Sequence, residues 1–514
     1  MATAASEELH TDVLVVGAGP SGLMLAVCLA KLGVDVMIVD GKEGPTRESR
    51  ALGVQARSME LYDQLGLVDR VLAERAPAVA VVPGAGSRAF GRLEFRGLGE
   101  GVSPYTEITV FEQSRNERLL ADALADLGRE VMWGHRLERL EVERPDPAAS
   151  GAAASIVAFL AGPEGKVVVR ARYCVGADGS HSRVRETLGI PFVGVTNAYT
   201  YYIVDATDVT GLVDDAINIR VTTEHILLAF PMGGGRMRLL GIVRDRDLDA
   251  NGHVPESNVR ALVGTEFGVE YREASWFTTY RVHHRLAARF RDGPCFLVGD
   301  AAHIHSPVGA QGMNTGLQEA HNLACALADV IVGGMPDRRL DRYEAERRPV
   351  GRILVSTTDR VFGVVTSDSA LARFVRGRVV PLVGPIAVRV LPRIVSGRRV
   401  FGYVSQTRIH YRMSPRASAR RDPVVGRRLP WTGDNFDVLR SMTWQVHGYG
   451  VYEPEVRAIA SSLGLEAHAF PVDPYLRLDP GLVYLVRPDG FVAAAASARA
   501  VPGGPPAFRE QLAG

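Results

Sequence analysis

Short apolar runs and amphipathic stretches alternate from the start of the chain. Residues 13–16 are a β-branched run that predicts a buried parallel strand. Residues 23–32 have helical apolar spacing and stop at Gly33, and residues 34–39 form a second apolar strand that closes on Asp40. Strand, helix and strand in that order make a βαβ unit. Downstream, the pattern predicts helices over 57–65 and 115–127, with strand-like pieces through 76–109. Further strands are expected at 130–133, 139–143 and 167–175. Between 198 and 281, segments such as YTYYIVDA, HILLAFPM and MRLLGIV follow one another, the signature of an antiparallel sheet. A strand then meets a turn in CFLVGDAAH, a long helix is expected over 316–333, and 351–397 reads as helical, basic and apolar. MSPRASARRDPVVGRRLP reads as an exposed connector, and the turn chemistry of Arg487-Pro488-Asp489-Gly490 predicts a hairpin.

Composition removes several classes. The 514 residues carry Lys+Arg 59 against Asp+Glu 58, a net charge of +1, so no global field favours a nucleic acid or an anionic membrane. Four widely spaced cysteines (Cys28, Cys174, Cys295, Cys325) exclude a disulfide scaffold and a paired-cysteine zinc site. The start MATAASEELH lacks a basic segment followed by an apolar run, and apolar stretches such as 379–395 are broken by Arg389 and Arg393. Neither a secretory signal nor a membrane span is expected, and the chain reads as cytoplasmic.

Between the first strand and helix lies Gly17-Ala18-Gly19-Pro20-Ser21-Gly22, a G-x-G-x-x-G placed where its mechanism needs it. Gly17 permits the tight turn, Gly19 lets backbone approach a pyrophosphate, and Gly22 lets helix and strand pack closely. The helix N-terminus then offers unpaired N–H groups to the phosphates, with Ser21 as a phosphate or cap ligand. Asp40, eighteen residues past Gly22, suits ribose hydroxyls and repels a 2′-phosphate. The motif alone leaves NAD and FAD both open.

Two later segments choose flavin. The first is GADGSHSRVR, residues 176–185, just after a strand. The second is GDAAHIHSPVGAQGMN, residues 299–314, a strand end, a loop and glycines leading into a helix. That helix end favours an electron-rich ring oxygen of a reduced flavin, and a carboxylate at Asp300 suits a polyol chain. With GAGPSG, these motifs make the chain resemble the class A flavoprotein aromatic hydroxylases, the p-hydroxybenzoate and phenol hydroxylase group. Within that group it is most similar to actinobacterial hydroxylases of aromatic polyketides, and the resemblance spans essentially the whole chain.

The resemblance implies an α/β fold: a Rossmann-like FAD-binding domain, a β-sheet substrate domain and a C-terminal thioredoxin-like domain without cysteines. The FAD domain is expected from 1–75, 110–190 and 285–345, and the substrate domain from 76–109 and 191–284. A helical segment and linker would span 346–413 and the last domain 414–514. It also implies the site. Gly17, Gly19, Pro20, Ser21, Gly22 and Asp40 would hold the ADP half of FAD, with Gln113, Asp178 and Arg185 also at the cofactor. Asp300 would bind the ribityl chain, and Pro307, Gly312, Met313 and Asn314 would meet the flavin ring. Arg50 is implied near flavin and nicotinamide and is the expected catalytic group, for positioning and charge stabilisation.

By the same resemblance NAD(P)H is a transient reductant, consistent with a single G-x-G-x-x-G. Oxygen would form a flavin hydroperoxide that passes OH to an electron-rich carbon of a phenolic, polyketide-type substrate in antibiotic biosynthesis. Two departures stand out: Leu52 replaces the acid of phenol hydroxylases, and Ala310 stands where many relatives have glycine. His303, His305, His283 and His284 read as structural, with no metal expected. Tyr202, Phe230 and Trp276 are the candidate substrate wall, and the apolar 379–395 stretch points to a homodimer. Two alternatives stay open: a Baeyer–Villiger or antibiotic-modifying oxygenase on the same scaffold, and a flavin-binding protein without oxygenase turnover.

Overall fold

The computed structural model describes residues 7–47, 49, 51–95, 97–143, 154–244, 248, 253–305, 310–367, 369–394, 397–418, 422–499 and 503–514. The expected βαβ unit is β1 (Glu7–Val16), α1 (Pro20–Lys31) and β2 (Val36–Asp40). Val13, Leu14 and Val15 are fully buried because this parallel sheet is covered on both faces. The strand begins at Glu7, earlier than the apolar run, because its outer half pairs with Val167–Ala171 of a later strand. Helix α1 is apolar almost all round, buried from Gly22 to Leu29 between the sheet and the helices beside it.

After α2 (Ala56–Leu65) and α3 (Gln113–Asp126) come β3 (Val131–Trp133), β4 (Arg136–Glu143), β5 (Ser155–Gly162) and β6 (Gly165–Gly176). The sheet order is β4-β5-β6-β1-β2-β3. β6 serves two purposes along its length. Gly165–Ala171 carries the antiparallel meander with β5, whereas Cys174–Gly176 pairs in parallel with a strand that arrives much later, at Cys295–Leu297.

The second sheet is built from β7 (Phe192–Thr207), β8 (Ala216–Val221), β9 (Ile226–Gly233), β10 (Arg236–Val243) and β11 (Glu273–Ala287). Their order is β11-β7-β10-β9-β8, antiparallel throughout, and Ala80–Ala85 adds in parallel beside β8. Helix α4 (Glu256–Phe267) covers one face. The chain then re-enters the first sheet through β12 (Cys295–Leu297), followed by α5 (Gly312–Ile331) and α6 (Asp341–Thr366). Helix α5 starts at Gly312, four residues before the expected 316, and its first turn is held by Asn314 Nδ2 and Thr315 Oγ1, which donate to the carbonyls of Ala310 and Gln311.

The C-terminal region holds its own four-stranded sheet: β13 (Gln445–Tyr449), β14 (Glu466–Phe470), β15 (Leu482–Val486) and β16 (Val492–Ser497). The order is β14-β13-β15-β16, with α7 (Glu453–Ser461) crossing between β13 and β14 and α8 (Pro506–Leu512) at the end. The segment read as an exposed connector is largely buried where it is described. Ala417, Val424 and Leu429 join this core, and Arg428 is buried against Glu60 of α2. Basic composition misled there, because Glu60 of α2 pairs with Arg428 and lets it be buried.

Candidate functional site

The glycine turn is stereochemically specified. Gly17 has φ +106, and a Cβ there would stand 2.4 Å from the Ala177 carbonyl oxygen, so the turn is pressed against the start of the second motif. Gly22 is equally closed: its Cβ would meet the Gly17 oxygen at 1.9 Å. Gly19 is different, since nothing lies within 4 Å of a Cβ built there. Pro20 occupies the first turn of α1, and no side chain caps that helix start. An open space in front of uncapped, dipole-aligned N–H groups fits a pyrophosphate.

Asp40 pins this turn: Oδ2 accepts the Ala18 N–H at 2.7 Å and Oδ1 accepts the Lys42 N–H at 2.8 Å. Each oxygen keeps a lone pair for a ribose hydroxyl. Asp178 accepts the N–H groups of Arg183 and Val184 on Oδ2, whereas its buried Oδ1 has no partner among the described residues. Burial pushes its carboxyl above the usual range. An orphaned acceptor beside the glycine turn is what a hydroxyl-rich cofactor would complete.

Several expected ligands are committed to the scaffold instead. Ser21 packs its hydroxyl between Gly299 and Gly316, where a Cβ would come within 2.6 and 2.3 Å of Oγ, so the side chain is a packing contact between α1 and α5 rather than a cap. Arg185 is buried, donating to the carbonyls of Ala301 (3.0 Å) and Ser180 (2.9 Å) with its guanidinium over the Phe192 ring. It braces the turn that carries Asp300, which is itself exposed at the end of β12. Asn314 is fully buried: Oδ1 accepts the Gln55 N–H, and Nδ2 donates to the carbonyls of Gly53 and Ala310. It therefore ties the start of α5 to the segment 53–55. Gln113 donates to Glu117 and accepts from the Ala51 N–H, and Met313 Sδ accepts from Asn116. Gly312 opens α5, again without a side-chain cap. Arg50 and Pro307 lie outside the described residues.

Glu319 is a residue the sequence pattern did not single out. Its Oε2 accepts the Gly299 N–H at 2.9 Å and its Oε1 pairs with His303 Nε2 at 2.8 Å, fully buried. Burial opposes the imidazolium, but the Glu319 carboxylate outweighs it and holds the His303 pKa up. The histidine thus has an acid partner, sixteen residues away and one helix distant, which sequence neighbourhood concealed.

The second sheet has two unlike faces. Tyr202, Val204, Ala206, Leu227, Ala229 and Leu239 are sealed under α4. Tyr202, an expected substrate contact, is 0% exposed there and its hydroxyl has no partner among the described residues. Strand alternation sends Tyr201, Ile203, Leu228, Phe230, Leu240 and Ile242 to the other face, with Trp276 and Tyr280. Phe230 and Met232 there meet Leu52, Ala76, Ala78 and Val110, strands next to the α5 loop. Trp276, Tyr280, Phe230 and Leu228 are only half-buried. No helix of the described residues is long and apolar enough to cross a membrane.

The comparisons agree with this geometry. A family model described as FAD binding domain matches residues 10–358, and the chain belongs to that family. It is a FAD-dependent monooxygenase. Among its relatives, 6-methylpretetramide 4-monooxygenase of Streptomyces rimosus is 35% identical over 81% of this chain and 72% of its own. A 12-dehydrotetracycline 5-monooxygenase/anhydrotetracycline 6-monooxygenase of the same species is 32% identical over 94% and 95%. Rifampicin monooxygenase of Streptomyces venezuelae is 34% identical over 68% and 70%. The solved anhydrotetracycline hydroxylase from Streptomyces rimosus superposes with a TM-score of 0.73, at 29% identity over 95% of this chain and 96% of that one.

Proposed function

We propose that the protein hydroxylates a phenolic, polyketide-type aromatic ring, with NAD(P)H as reductant and O2 as oxygen source. The observation that carries this reading is the half-buried aromatic face of Leu228, Phe230, Trp276 and Tyr280, which adjoins the Leu52 segment and the N-terminus of α5. The residues present fit FAD: the open cradle at Gly19, the Asp40 carboxylate and the exposed Asp300 would hold its pyrophosphate, ribose and ribityl parts, with the orphaned Asp178 oxygen beside the glycine turn as a further acceptor. When bound, FAD supplies the redox chemistry of oxygen activation.

The chain supplies orientation and dryness. Asn314 fixes segment 53–55 against the start of α5, so the apolar floor around Leu52 is held next to the ring-binding end of the site. Leu52, Ala78, Val110 and Met232 offer no carboxylate to take a phenolic proton. Water is excluded on the far side by the sealed α4 face.

The test is an absorbance spectrum of the purified protein, then anaerobic NADPH addition with and without anhydrotetracycline, aklavinone and simple phenols. Flavin that bleaches faster with one of these, followed on aeration by a product one oxygen heavier, supports the reading. Flavin that ignores NADPH under every condition refutes it. Similarity to rifampicin monooxygenases favours a second reading, modification of an antibiotic, and rifampicin in the same panel separates the two.

A further inference from the structure

Arg238 lies on the aromatic face of the second sheet. Arg238 of β10 has a side chain 2% exposed and opposes Phe230 of β9 and Asp205 of β7 in the strand register. Its Nε donates to Asp205 Oδ1 at 2.6 Å and its Nη2 to Asp205 Oδ2 at 2.7 Å, a bidentate pair. The Trp276 ring lies 5.1 Å from the guanidinium carbon. That leaves Nη1, which is buried and has no hydrogen-bond partner among the described residues.

We infer that Arg238 Nη1 donates a hydrogen bond to an oxygen of the aromatic substrate, a phenolate or a ring carbonyl, and that Asp205 is the residue that positions it. The inference rests on the hydroxylase reading above. A buried donor without an acceptor is costly, so native chains complete such groups with protein, water or ligand. The fork to Asp205 fixes the guanidinium plane, and the neighbours on this face (Phe230, Leu240, Ile203 and Trp276) carry no acceptor carboxylate. A mostly apolar wall with one fixed donor recognises a planar molecule by an edge oxygen. A fixed N–H donor aimed at that oxygen bonds phenolate more strongly than phenol, so it favours the ionised form, whose proton passes to solvent water as the ligand binds. This supplies an activation that the Leu52 position does not.

The experiment compares the FAD-loaded wild type with Arg238→Gln, Arg238→Lys and the paired Asp205→Asn/Arg238→Gln, which keeps an amide–amide contact in place of an unpaired carboxylate. Anhydrotetracycline, aklavinone and 1-naphthol are titrated against flavin absorbance from pH 6 to 10, with FAD content and thermal stability measured alongside. Loss of one charge-assisted bond should weaken the ligand bound by the wild type about ten- to hundredfold in both glutamine variants. The midpoint for ionisation of the bound phenol should rise by roughly one to two pH units, and Arg238→Lys should restore that midpoint better than the affinity. Glutamine variants with normal FAD content, wild-type affinity and an unmoved midpoint overturn the inference and leave the hydroxylase reading intact. A wild type that binds none of the three ligands overturns that reading, and the inference with it.

Discussion

Replacing Gly19 by alanine separates the cofactor cradle from the scaffold. Its backbone, φ −79 and ψ −179, is ordinary extended geometry that any residue adopts, and a Cβ there touches nothing within 4 Å. The apo protein should therefore be unharmed or gain about 0.4–1 kcal/mol through a less flexible unfolded chain. The added methyl group would occupy the space reserved for the pyrophosphate. Displacement that breaks one charge-assisted phosphate bond, worth about 1.5–3 kcal/mol, weakens FAD roughly ten- to two-hundredfold.

Gly17→Ala is the matching control, with φ +106 and a Cβ 2.4 Å from the Ala177 oxygen. It should compromise folding itself, since alanine strain of about 1–2 kcal/mol adds to the backbone clash. Apo-protein melting and quenching of FAD fluorescence on titration give the two numbers independently. A Gly19→Ala protein that melts normally and binds FAD as tightly as the wild type would refute this placement of the pyrophosphate.

Three further outcomes follow from two buried groups and one strained turn. Arg487 forms a bidentate pair with Glu346 and also binds Asp489. Burial opposes the ionisation of both acids, but the Arg487 cation outweighs it and holds their pKa values low, so this pair adds stability above the ordinary carboxylate range that is lost as pH falls through the depressed values. Arg487→Met should cost about 3–5 kcal/mol at pH 7, and part should return by pH 5 as the stranded acids take up protons, measured by urea melts at both pH values; a cost independent of pH would refute the pairing argument. Ala310 has φ +51, so Ala310→Gly should stabilise by up to about 1 kcal/mol; a lower melting temperature would contradict the strain. Tyr202→Phe removes a buried hydroxyl without a partner, so melting should be unchanged or slightly higher and ligand titrations unchanged; a ligand defect would place Tyr202 in the site after all.

The chemistry-bearing turns were legible in the sequence because glycine is required where backbone meets backbone. Gly17 and Gly22 are such positions, and the strand–helix–strand order around them announces itself through apolar periodicity. Side-chain function was less legible. Ser21, Arg185 and Asn314 sit in the expected motifs, yet each is bonded or packed to the protein, because a motif fixes a residue's place in the chain and not the direction of its side chain. Tyr202 and Tyr201 differ by one position, and strand alternation alone sends one under α4 and the other toward the half-open face. The Glu319–His303 and Arg238–Asp205 pairs join elements far apart in sequence, so no local pattern announces them.

The C-terminal region contains no cysteine, and its contacts show what it contributes. The turn between β15 and β16 reaches into the first domain: the Asp489 carbonyl accepts from Arg57 at 2.7 Å, and the Pro488 carbonyl accepts from Gln64 at 2.6 Å, both on α2. Asp489 Oδ2 accepts from Asn322 of α5, and Arg428 donates to Glu60 of α2. Helix α2 follows directly on the segment that Asn314 ties to the start of α5. One buried polar network therefore clamps both helices beside the proposed ring-binding end of the site, from a region to which none of the site residues named above belongs. Such a network gives up stability relative to an apolar interface in exchange for a single fixed geometry. Fixed geometry is what orienting one ring carbon toward a cofactor demands, so here the C-terminal sheet serves the reaction by holding α2 and α5 in register.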